Sequence, residues 1–292
     1  MRAARKREAA GDLSGAAAIY EEVLSREPDH AGALHGIGAI MNRRGEFSRA
    51  VEWLERAVVA GPNDPVRHVD LGESFRNLGQ CREAVGCCLT ALRLRPDYPE
   101  GLNTLGLSLQ DLGDPSAALE QFRRAHEIRP DFSPAHTNAG RVLQDTGATE
   151  QAIAHFRRAV ELEPHSVLTR TNPGLGLLER DLAMEALPHF EEAARLGPDL
   201  AVVHHNLGNV LRILGRTSEA RESYQEAVRL DPGLAISHLH IGIILRAEGS
   251  PAEALTWYRT AAELEPDNPG IRMDLAALYE QHHESQRFFG AD

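Results

Sequence analysis

Apolar residues recur along this chain in two alternating helical stripes, and each pair of stripes repeats. Between residues 201 and 234, Val202, Val203, Leu207, Val210, Leu211 and Leu214 return at helical spacing, which predicts a first amphipathic helix. Gly215 predicts the left-handed turn that ends it, and Thr217 or Ser218 can cap the next helix. Ala220, Tyr224, Ala227, Val228 and Leu230 form the stripe of the second helix, which Pro232 closes. Gly208 and Ala220 are small enough to let the two helices approach, with Tyr224 filling the space beside them.

The unit recurs on a fixed lattice. Pro28, Pro62, Pro96, Pro130, Pro164, Pro198, Pro232 and Pro266 lie 34 residues apart each time. A glycine column runs from Gly38 to Gly242 on the same step, and an alanine column runs from Ala16 to Ala254. Another column holds Tyr20, Leu54, Cys88, Phe122, Phe156, Phe190, Tyr224 and Tyr258. A second glycine column, Gly11 to Gly249, misses once, at Asp181.

These glycine, alanine, aromatic and proline columns resemble the tetratricopeptide repeat (TPR). The resemblance implies an all-α fold, a right-handed α-solenoid superhelix of helix-turn-helix units whose first helices line a concave groove. The whole chain, 1–292, reads as a single solenoid. Residues 1–30 are a truncated first repeat, 31–268 are seven full repeats, and 269–292 are a terminal helix and tail. Leu275 and Leu278 are expected to face inward, and the polar run Gln281 to Arg287 to cover the open end. The unit 167–200 departs from the pattern, with Pro173 and Pro188 inside its two helices. It reads either as a drifted repeat held by its neighbours or as a hinge.

Composition narrows the function. The chain carries a net charge of −12 and only 5% aromatic residues. Both argue against a nucleic-acid partner, which needs cationic surface and stacking platforms. Lys6 is the lone lysine among 31 basic residues, a skew that suggests GC-rich, bacterial coding. Three clustered cysteines, Cys81, Cys87 and Cys88, suit a reducing compartment more than a disulfide framework, so a cytoplasmic location is expected. No stretch approaches the roughly 20 apolar residues that cross a bilayer, so no membrane partner is expected.

Nothing in the motifs calls for catalysis. Phosphate-loop, HExxH and paired CxxC patterns are missing from the sequence, and the repeat loops are too short to build a pocket. The chain is therefore read as non-enzymatic, without cofactor or metal. Cys88 stands in the aromatic column as a packed small hydrophobe. His68, His136, His204 and His238 share one column and read as half-buried packing groups. The competing reading is a Zn or Ni site from His204, His205, His238 and His240.

The function is expected on the first-helix face. Its inward columns carry Asn138, Asn172 and Asn206; Arg141 and Asn209; and Arg76, Gln110, Gln144, Arg212 and Arg246. An asparagine amide both donates and accepts, so it can satisfy the backbone of an extended peptide. The arginines can pair with carboxylates. The stretches Ala201–Gly208 and Pro134–Gly140 resemble the array of O-linked N-acetylglucosamine transferases. That resemblance implies a ladder of Asn138, Asn172 and Asn206 holding polypeptide in extended form, with Asp70, Thr104 and His240 departing from it. The family's catalytic domain has no counterpart here. The expected role is a protein–protein interaction scaffold with a protein or peptide partner in its groove. The alternative is a substrate-recruiting region of a larger glycosyltransferase or sulfotransferase-type enzyme. Self-association through a strip of Leu175, Leu178, Ile213, Leu239 and Ile243 is a further possibility.

Overall fold

The computed structural model describes residues 1–289, with side chains through Tyr279. Every regular element among them is a helix, and the helices come in pairs. The opening pair is α1 (Arg2–Ala9) and α2 (Leu13–Arg26). Three pairs follow: α3 (Ala31–Arg43) with α4 (Phe47–Ala60), α5 (Pro65–Asn77) with α6 (Cys81–Leu94), and α7 (Pro99–Asp111) with α8 (Pro115–Ile128). Then come α9 (Ser133–Asp145) with α10 (Thr149–Leu162), α11 (Val167–Leu178) with α12 (Ala183–Leu196), and α13 (Ala201–Ile213) with α14 (Thr217–Leu230). The last pair is α15 (Ala235–Ala247) with α16 (Pro251–Leu264), and α17 (Pro269–Phe289) ends the series. The chain divides into two compact units, α1–α10 (Met1–Leu162) and α11–α17 (from Glu163 on).

Within each pair the glycine and aromatic columns meet. Phe122, Phe156, Phe190, Tyr224 and Tyr258 expose about a hundredth of their surface or less. A Cβ placed on Gly140 would lie 2.5 Å from Phe156 Cε1, and one on Gly208 would lie 2.7 Å from Tyr224. Only hydrogen fits there, so glycine sets how closely the paired helices pack. The alanine columns at Ala118, Ala152, Ala186 and Ala220 are fully buried. In the first unit, α3, α5, α7 and α9 also pack each against the next, and form one face of first helices.

Local readings needed correction in the 201–234 unit. Val202 is 58% exposed, and Leu207 and Leu214 are half-buried, whereas Val203, Val210 and Leu211 carry the core. Neither Thr217 nor Ser218 caps α14: the N-cap is Arg216, and no side chain bonds that helix start. The turn itself is as expected, with Gly215 at φ +74°. In α17, Leu278 is fully buried as expected, Leu275 is only half-buried, and Ile271, one turn earlier, is fully buried. The side chains of Gln281 to Arg287, including His282 and His283, lie outside the described residues.

The irregular unit keeps its helices. Pro173 lies inside α11 and Pro188 inside α12, and both helices run through. Pro173 removes one backbone donor, and one turn earlier a side chain anchors the start of the helix. Thr169 Oγ1 donates to the carbonyls of Glu163 (2.7 Å) and Ser166 (3.0 Å). Asp181, which replaces the turn glycine, takes φ +59°.

Candidate functional site

Each first helix begins just after a proline corner, and a side chain from its first turns ties the two together. His68 Nε2 meets the Pro62 carbonyl at 2.7 Å, His204 Nε2 meets Pro198 at 2.8 Å, and His238 Nε2 meets Pro232 at 3.0 Å. The Pro130 carbonyl accepts from His136 in the same way. Where the column switches to Arg170, its Nε donates to Pro164 at 3.1 Å. These histidines are corner braces. His68, His136 and His238 are buried beyond the half-burial expected of them, and His204 remains half-buried. At His204 and His238 it is Nε2 that faces a backbone oxygen, while Nδ1 of His238 is buried without a hydrogen-bond partner among the described residues.

His136 has a second engagement that the columns did not show. Its Nδ1 lies 3.2 Å from Nδ1 of His155 on α10. His126 on α8 stacks on it, with ring centroids 4.8 Å apart. Burial pushes all three below the ordinary imidazole range, His155 to about 4, and the neighbouring imidazoles add to the shift of His136 and His155. A compact neutral cluster therefore joins α8, α9 and α10.

The three cysteines are unpaired. Burial pushes the Cys87 thiol up to about 11 and Cys88 to about 12, so neither carries the thiolate that reactivity needs. Cys88 is fully buried, as expected of a packing residue.

The polar first-helix residues sort into two groups. One group bonds the neighbouring first helix, on a diagonal of 35 residues. Arg76 Nη1 pairs with Asp111 Oδ2 at 3.1 Å, Gln110 Nε2 donates to Asp145 Oδ2 at 3.3 Å, and Asn138 Nδ2 donates to Asn103 Oδ1 at 2.9 Å. His35 and Asp70 meet the same way at 2.6 Å. Asn209 turns inward within its own unit and accepts from the Tyr224 hydroxyl at 2.7 Å. Gln144 is half-buried and engaged. The other group points its polar atoms outward or has no partner. Arg141 is exposed, Asn206 is half-buried, and the Arg246 guanidinium stands 5.9 Å from the Tyr258 ring centre; Arg212, though exposed, bonds the Tyr224 hydroxyl. Asn172 is only 7% exposed, yet its Nδ2 has no hydrogen-bond partner among the described residues.

The inward columns hold Asp70 and Glu73 but not Glu100, which the fold brings beside them. Asp70 and Glu73 on α5 stand beside Glu100 on α7. Desolvation, then Asp70, raises the Glu73 carboxyl above the usual carboxylate range. The apolar strip considered for self-association is broken: Leu175 and Ile213 are exposed and Leu178 and Ile243 half-buried, but Leu239 is 7% exposed and belongs to the core. Among the described residues no helix is long and apolar enough to cross a membrane.

Known proteins share this architecture. The chain is 35% identical over 95 residues to human tetratricopeptide repeat protein 7A, a stretch covering 32% of the chain and 11% of that relative. The fold is similar to that in a crystal structure of the APC/C hetero-tetramer Cut9–Hcn1, at a TM-score of 0.71 and 16% identity over 94% of this chain and 54% of that one. It is also similar to YrrB, described as a TPR protein with an unusual peptide-binding site, at a TM-score of 0.53 and 19% identity over 64% and 96% of the two chains. The tetratricopeptide repeat family model matches residues 1–65, 69–131, 103–167, 174–235 and 205–269. With that coverage and the paired helices on a 34-residue lattice, the chain belongs to the tetratricopeptide repeat family.

Proposed function

We propose that this protein is a non-enzymatic scaffold that holds an extended segment of a partner polypeptide against its first helices. The observation that carries the reading is Asn172. Its amide nitrogen is buried and unanswered, which costs about 1–3 kcal/mol, and a turn of the side chain toward the first-helix face would let a peptide carbonyl recover it. Asn206, one repeat later, offers the same group at half burial. The likeness of the asparagine column to the O-linked N-acetylglucosamine transferase arrays, and of the fold to peptide-binding YrrB, supports the same placement. Asn138 contributes less, because its amide nitrogen already bonds Asn103.

Selection of a displayed random-peptide library on the full chain tests this. Selected peptides should bind the wild-type chain and lose about tenfold affinity, near 1.4 kcal/mol, when Asn172 and Asn206 are changed to alanine. Failure to select any peptide, or equal binding by that variant, would overturn the reading.

A further inference from the structure

The first unit holds a hollow of about 350 Å³ between α5, α7 and the start of α9. Its walls are apolar: Val69, Tyr98, Leu107 and Phe132. Its rim is acidic: Asp70, Glu73 and Glu100. The one cation on the rim, Arg76, is tied to Asp111 at 3.1 Å.

The carboxylates here are incompletely answered. Glu100 uses Oε1 to accept from Arg129 at 2.7 Å, while its Oε2 is buried and has no partner. Asp70 faces His35 through Oδ2. Glu73 sits in a field that disfavours its own charge: desolvation first, then the Asp70 carboxylate, with Arg76 opposing them. The Tyr98 hydroxyl reports the same field. Burial raises it to about 12, with Glu100 and Asp70 adding to the rise and Arg95 opposing it. Arg129 answers one oxygen of Glu100 and His35 one of Asp70, so the rim is only partly compensated, and such a rim over an aromatic floor is matched by a cation with a long apolar stem.

We infer that this hollow binds a basic side chain, arginine above all, presented by the partner polypeptide. The inference rests on the scaffold reading and adds the chemistry of the partner. Two features favour a guanidinium over a small metal cation. No group of three or more histidine, cysteine, aspartate or glutamate side chains among the described residues is placed to hold a metal ion. A guanidinium is planar and wide, bonds separated carboxylates through its fork, and stacks on aromatic faces. The protein already uses that stacking beside the hollow, where Arg95 lies 4.7 Å over the Tyr98 ring and Arg129 4.6 Å over Phe132. The net charge of −12 would draw a basic segment toward the face.

The test compares two probes on the intact chain by nuclear magnetic resonance: the tripeptide acetyl-Ser-Arg-Ser-amide and its citrulline twin, which keeps the shape and loses the charge. The arginine probe should give saturable shifts at Val69, Leu107 and Phe132. The citrulline probe should bind about tenfold more weakly or worse, the difference of one good charge-assisted contact. Glu73→Gln, a change at an exposed position, should weaken the arginine probe and leave the citrulline probe unchanged. Equal binding of the two probes, or shifts only elsewhere, would overturn the inference. So would dimerisation that competes with the probe as protein concentration rises, because the basic segment Arg2–Arg7 of a second copy would then be the occupant. Library peptides that depend on Asn172 while the arginine probe shows no selective shift would sink this inference and leave the scaffold standing.

Discussion

The Tyr224 hydroxyl donates to Asn209 Oδ1 at 2.7 Å, fifteen residues earlier on the paired helix. One repeat later Ile243 stands at the position of Asn209, and its side chain has no group to bond a tyrosine hydroxyl. Tyr258 is fully buried and its hydroxyl has no partner among the described residues. Two tyrosines in one column therefore stand on opposite sides of hydrogen-bond satisfaction.

The pair should respond oppositely to loss of the hydroxyl. Tyr224→Phe strands Asn209 and should destabilise by about 1 kcal/mol, whereas Tyr258→Phe should be neutral or stabilising. Urea unfolding midpoints of the two variants check this. Equal destabilisation would show that the Tyr258 hydroxyl is answered after all.

Glycine should matter by position. Gly140→Ala drives a methyl to 2.5 Å from buried Phe156 and should cost about 1–3 kcal/mol. Gly86, inside α6 (Cys81–Leu94), has open space where its Cβ would go. Gly86→Ala should gain about 0.5–1 kcal/mol, the ordinary helix preference for alanine. Thermal unfolding of both variants gives the comparison.

Asp181 occupies the turn position that glycine holds in the other pairs, at φ +59° against Gly215 at +74°. A side chain in that region is strained. Asp181→Gly should therefore stabilise the α11–α12 pair by up to about 1 kcal/mol. Amide exchange in α11 and α12 should slow in the variant, and unchanged or faster exchange would contradict the strain argument.

The histidine cluster sets a pH window. His126, His136 and His155 all titrate below the unfolded value of 6.5 in the folded chain, His155 near 4. Between those values the unfolded chain binds more protons than the folded one, so their contribution is full above 6.5 and is lost as pH falls toward 4. Around them, Glu127 favours the charged form of His126, while Arg123 opposes it and Arg158 opposes that of His136. The thermal midpoint should fall across this window. His155→Gln should flatten the fall relative to wild type, which separates the imidazoles from the carboxylates that titrate at the lower end.

Much of the fold was legible because the repeat writes the same physical demand many times. A buried aromatic needs a glycine opposite it, and Gly140 with Phe156 shows that demand met in space as it was read in sequence. The candidate site was less legible. Arg76, Gln110 and Asn138 fall in the groove columns, but their atoms bond Asp111, Asp145 and Asn103, one residue off the 34-residue step. That diagonal comes from how neighbouring first helices lie against each other, which a column cannot record.

What the sequence determined by itself was the unit: its length, its two helices, its left-handed turn and the columns that pack. These follow from local chemistry, the φ freedom of glycine, the fixed φ of proline and the spacing of apolar side chains. Only the tertiary structure decided which polar groups remained available. His126, His136 and His155 come together from three helices, and Glu73 and Glu100 share a rim from two. Asn172 is buried without a partner while Asn138 is satisfied. The physical reason is that hydrogen bonding and desolvation depend on distances of a few ångströms between helices, and these are set by packing rather than by position in the chain.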